Sequence, residues 1–103
     1  MKKTYKIIYL PLFYKDLNGI IEYITNVLNN RVAANNLLDT IEAEIQKRAN
    51  GIAKYEKYKS NFKRTAIYYR IYIKNYTIFY TIEKDCMEIR RIIYSKRNFN
   101  KLI

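Results

Sequence analysis

The stretch YYRIYIKNYTIFYTIEKDCMEIRRIIY, residues 68–94, is dense in β-branched and aromatic residues and is broken only at short polar sites, so it reads as three consecutive strands. Strands 68–74 and 76–82 are separated by a tight turn at Asn75, and a second turn at Lys84 and Asp85 leads into 86–94. If the first turn sets Ile73 opposite Tyr76, then Ile71, Ile73, Tyr76, Ile78, Tyr80 and Ile82 share one face. Arg70, Tyr72, Thr77, Phe79 and Thr81 share the other. The isoleucine-rich face is expected to carry the core and the Arg/Tyr/Thr face to stay open. Neighbours alternate along a strand, so one of Arg90 and Arg91 is also expected on the open side, and the pattern does not say which.

What covers the apolar face lies upstream. Residues 4–9, TYKIIY, suit a short first strand, ended by Pro11, which fits the first turn of a helix. Phe13, Leu17, Ile20, Ile21, Ile24 and Leu28 then recur at helical spacing, with Lys15, Asp16, Glu22 and Asn26 mostly opposite. Asn29 and Asn30 break the pattern and can cap a second helix, in which Ala34, Leu37, Leu38, Ile41 and Ile45 form the apolar stripe and Gly51 is the expected stop. Two helices with so short a break form an antiparallel hairpin. The expected fold is α+β in the order β-α-α-β-β-β: an antiparallel-type four-stranded sheet with the hairpin on one face, as one domain over residues 1–103. Residues 52–66 lack periodicity and carry five Lys or Arg among Tyr55, Tyr58 and Phe62, as an exposed basic loop would.

Composition narrows the chemistry. The chain has 103 residues with no His and a single Cys, Cys86, which excludes a His-based triad, an intrachain disulfide and a zinc finger. No metal or cofactor is expected. No segment approaches a membrane span of about 20 apolar residues, no cleavable leader is evident, and an unpaired Cys suits a reducing cytoplasm. The net charge is +11, and it is uneven: residues 1–50 hold 7 basic and 5 acidic side chains, residues 51–103 hold 13 and 4. Abundant Lys, Asn, Ile and Tyr suggest an A/T-rich coding sequence, which accounts for part of the total but not for the asymmetry. A polyanionic partner, nucleic acid or acidic protein, is the expected counterpart.

Element order and residues together resemble the RelE/ParE superfamily of toxins from bacterial type II toxin–antitoxin systems. The likeness runs through LPLFYKDLNGIIEYI, VAANNLLDTIEAEI and YRIYIKNYTIFYTIE to MEIRRIIYSKRNFNKLI. It implies a growth-inhibiting, plasmid-stabilisation-type toxin neutralised by a small acidic antitoxin. Two targets exist within this fold: RelE-like members cleave mRNA on the ribosome, and ParE-like members poison DNA gyrase without nuclease chemistry.

Cleavage by 2′-OH attack needs a proton acceptor, a stabiliser of phosphate charge and a proton donor for the leaving oxygen. Carried over from the nucleases, Arg70 and Arg97 match basic positions, but Tyr72 stands where those proteins have Lys, Thr77 where they have Arg, and the tail offers Phe99 with no Tyr or His. The nuclease candidates are therefore Arg70, Tyr72, Tyr94 and Arg97. The residues expected to bind target or phosphate are Lys59, Lys63, Arg64, Arg70, Arg90, Arg91, Lys96 and Arg97. Each has a plainer alternative: Tyr94 as a packed strand-end aromatic, Lys59 and Lys63 as solvated loop charges. The helix pair and the ending IRRIIYSKRNFNKLI look closer to the ParE-like branch, so gyrase is the favoured target and ribosome-bound mRNA the alternative. A third reading is a nonspecific nucleic-acid module, with Tyr55, Tyr58 or Phe62 stacking on bases.

Overall fold

The structure is a computed structural model, and it describes residues 4–51, 56–57 and 67–96, the pair 56–57 by backbone alone. Strand β1 (Lys6–Tyr9) leads into helix α1 (Pro11–Glu22), and helix α2 (Arg31–Ala49) comes next. After it come the two-residue strand β2 (Glu56–Lys57), β3 (Tyr69–Ile73), β4 (Tyr76–Glu83) and β5 (Cys86–Tyr94). The sheet order is β1-β5-β4-β3-β2. β1 runs parallel to β5 and the other pairs are antiparallel, so the expected four strands form a mixed sheet, to which β2 adds a short edge within the segment read as a basic loop.

Local chemistry sets the corners. Pro11 opens α1 at the position where a missing N–H costs nothing. Asn30 caps α2, its side-chain oxygen accepting from the Ala33 N–H at 3.0 Å, and Gly51 closes it with a left-handed φ of 69°. Lys47 and Arg48 in the last turn complement the helix dipole. Both hairpin turns are two residues long, and Lys74 and Lys84 take left-handed φ values of 53° and 55° at their first positions.

Ile73 does pair with Tyr76, and Ile71, Ile73, Ile78 and Tyr80 join Phe13, Ile24, Leu37, Ile41 and Ile45 in one core beneath the helices. Three expectations need correction. The first helix does not keep its period to Leu28: from Tyr23 to Val27 it widens into a π-turn, in which Leu28 N–H reaches the Tyr23 carbonyl at 3.1 Å. A π-turn takes up an extra residue and rotates the downstream side chains about the helix axis, so Ile24 stays buried while Leu28 is 55% exposed.

Nor is the second face of the sheet open throughout: Phe79 is 0% exposed, and Thr77 and Thr81 are buried with it. Phe79 stands in the cross-strand row between Arg70 and Arg91. Arginine stems of that length shield apolar surface while their heads reach outward. Thr77 satisfies its hydroxyl on Ser95 at 2.9 Å.

Thirdly, alternation fails at Arg90 and Arg91. Phe79 pairs with Arg91 and Tyr80 with Ile89, which leaves Arg90 as the extra residue of a β-bulge.

Candidate functional site

β1 stops at Tyr9, opposite Ile89, whereas β5 continues to Tyr94. The last bond across this seam runs from the Leu10 N–H to the Ile89 carbonyl at 3.0 Å. From there α1 takes the place of β1 beside β5, and Asp16 substitutes for the missing strand. Its carboxylate accepts the Ile92 N–H at 3.2 Å and two bonds from the Arg91 guanidinium, at 2.6 and 2.9 Å. The Arg91 and Asp16 side chains are 17% and 13% exposed, so this fork-to-fork pair is a largely buried tie between α1 and the sheet.

Next to that tie lies a cleft of about 520 Å³ between α1 and the end of β5. Lys15, Gly19 and Tyr23 line its helix side, and Tyr76, Ile92 and Tyr94 its sheet side. Tyr23, at regular helical spacing from Asp16 and Gly19, stands at its rim. Tyr76 and Tyr94 meet edge to face, with ring centroids 6.0 Å apart. Burial raises the Tyr76 phenol above its ordinary value, and neighbouring Tyr94 and Tyr23 add to the shift, so this hydroxyl stays protonated through the neutral range.

On the opposite face of the sheet two arginine–tyrosine stacks flank Phe79. The Arg70 guanidinium sits 5.0 Å from the centre of the Tyr72 ring, and Arg90 sits 5.8 Å from that of Tyr68. Arg90 also lies 3.6 Å from Glu88, whose carboxylate offsets its charge, and Glu88 accepts a 3.4 Å bond from Thr81.

The residues singled out by sequence are thus dispersed. Arg70 and Tyr72 lie on the second face and Tyr94 on the helix side in the cleft, so the candidate nuclease set is split across the sheet. Arg91 is engaged by Asp16, Arg90 is the bulged residue beside Glu88, and Lys96 is exposed in the turn after β5. Lys59, Lys63, Arg64 and Arg97 lie outside the described residues, as do Tyr55, Tyr58, Phe62 and Phe99. Asp16, Gly19, Tyr23 and Tyr76 carry no mark in the sequence as site residues: an acidic residue and a glycine on the polar side of a helix leave no periodic signal, and a tyrosine at a helix or strand end fits plain packing equally well. The early end of β1 at Pro11 was the available clue. Among the described residues no group of His, Cys, Asp and Glu converges as a metal site, and no helix is long and apolar enough to cross a membrane.

Residues 7–99 match the family of the ParE toxin of the type II toxin–antitoxin system parDE. Among solved structures the chain is similar to the chromosomal ParDE TA system from P. aeruginosa, with a TM-score of 0.70 at 10% identity over 90% of this chain and 98% of that one. It is also similar to the RelB–RelE antitoxin–toxin complex from Methanococcus jannaschii, with a TM-score of 0.52 at 22% identity over 93% and 99% of the two chains. At these identities the structural likeness speaks for the fold. No curated protein sequence matches the chain. Taken with the element order and the helix-covered sheet, the match over residues 7–99 places the chain in the ParE toxin family of type II toxin–antitoxin systems.

Proposed function

We propose that this toxin stops growth by binding DNA gyrase through its surface, with no nucleic-acid cleavage of its own, and that a small acidic antitoxin neutralises it. The observation that carries the first part is the division of the nuclease candidates. General acid–base work on one phosphate needs the donor, the acceptor and the cationic stabiliser within hydrogen-bond reach of the same atoms. Tyr94 packs against Tyr76 on the helix side, whereas Arg70 stacks on Tyr72 across the sheet. Thr77, where a nuclease would hold an arginine, is buried and bonded to Ser95. A surface-binding toxin needs none of these to converge. The net charge of +11 supports the second part, because an acidic protein is its natural electrostatic complement.

Growth of cells producing a Tyr72→Phe/Tyr94→Phe double variant tests the reading. Both side chains are substantially exposed, so loss of their hydroxyls should leave the fold intact. The expected result is arrest as complete as with the parent chain. A nuclease using either phenol for proton transfer would lose about 100-fold or more in rate, and relief of the arrest would favour that alternative.

A further inference from the structure

Three features that the fold itself does not require meet at the cleft between α1 and β5. The first is Gly19, in the interior of α1, where glycine is the poorest helix former after proline. A Cβ built there meets nothing within 4 Å, so no neighbour among the described residues demands the missing side chain. The second is Tyr23, which stands at regular helical spacing from Asp16 and Gly19 and holds a half-exposed ring at the cleft rim. The third is an unfinished sheet edge. Ser95 N–H bonds to the Asn75 carbonyl, so the odd-numbered residues here face β4, while Ile92 N–H points the other way and is taken by Asp16. Tyr94, two residues on, points the same way as Ile92, and its N–H has no hydrogen-bond partner among the described residues.

From these we infer that the cleft receives an extended, acidic segment of a protein partner, which continues the line of β1 by pairing with the Ile92–Tyr94 edge and passes closely over Gly19. The Tyr94 N–H, without a partner among the described residues, calls for an extended backbone, because a helix satisfies its own donors and acceptors. Close backbone approach is what the bare Gly19 allows. The partner's charge is set by the cleft's own: Arg91 is neutralised by Asp16, and Lys15 remains as a cation with no ion-pair partner among the described residues. The same charge, within a +11 chain, disfavours a second copy as the occupant. This assignment rests on the reading of an acidic antitoxin as partner and gives that partner a place.

The test uses the full chain and the protein encoded by the acidic reading frame expected beside its gene. Affinity is measured for the parent, Gly19→Ala and Gly19→Leu chains, and exchange of the Tyr94 amide is tracked by NMR. Gly19→Leu should weaken the complex by about 30-fold or more, with Gly19→Ala between it and the parent. Both variants should melt no lower than the parent, since alanine and leucine are better helix formers. The Tyr94 amide should exchange freely in the chain alone and become protected in the complex. A complex whose affinity is indifferent to Gly19→Leu and whose Tyr94 amide stays unprotected overturns this inference and leaves the antitoxin reading standing. Failure of the parent chain to bind that acidic protein overturns both. A Tyr94 amide already protected in the concentrated free chain gives the cleft to a second copy and also overturns the assignment.

Discussion

Asp16→Ala should lower the folding stability by about 3 kcal/mol, near the lower bound for breaking a buried ion pair because neither partner is wholly enclosed. The loss has two physical parts. The Arg91 guanidinium keeps its buried position but has lost the carboxylate that offset its desolvation. The Ile92 N–H, at an edge where β1 no longer runs, loses its only acceptor among the described residues. Asp16→Asn should fall between, since an amide oxygen still accepts from Ile92 but no longer balances Arg91. The double variant Asp16→Leu/Arg91→Met should recover much of the loss, because it removes the stranded charge together with its partner. Urea unfolding monitored by far-UV circular dichroism reads these differences as midpoint shifts at constant slope. A loss for Asp16→Ala below about 1 kcal/mol would put the pair in the class of solvent-screened surface bridges and contradict its structural role.

Phe79→Ala should cost about 3–5 kcal/mol, the range for emptying a fully buried aromatic site. Phe79→Leu, which keeps most of the volume, should cost about 1 kcal/mol or slightly more. The contrast with an open face is large, since an exposed side chain on a sheet typically changes stability by about 0.5 kcal/mol or less. Thermal unfolding of the two variants beside the parent decides the matter, and equal midpoints for all three would return Phe79 to the surface.

Phe79 also marks where reading the sequence reached its limit. The alternation in YRIYIK and YTIFYTI correctly sorted side chains between faces, because period two is a property of the strand itself. Whether the second face is covered depends on what lies across it, which no strand pattern encodes. The turn between Ile73 and Tyr76, the Asn30 cap and the Gly51 stop were legible for the same local reason: each depends on residues within one turn of each other. Departures of a single residue were not. The bulge at Arg90 and the π-turn at Tyr23–Val27 each add one residue to a regular repeat, and the residues there are as compatible with the regular form as with the altered one. Those two irregularities decide where Arg90, Arg91 and Leu28 point, and two of these three bear on the candidate sites. In the sequence Asp16 is one polar residue among several on α1; its partner Arg91 lies 75 positions away, and only the parallel placement of β1 brings them together.

Addition of the purified toxin to DNA gyrase acting on relaxed plasmid is the most direct test of target binding without cleavage chemistry. Supercoiling should fall with increasing toxin, and gyrase-bound DNA should accumulate in cleaved form, while mRNA in a translating extract acquires no new 5′ ends. Unchanged supercoiling together with new 5′ ends at ribosome-bound codons would contradict it and assign this chain to the nuclease branch.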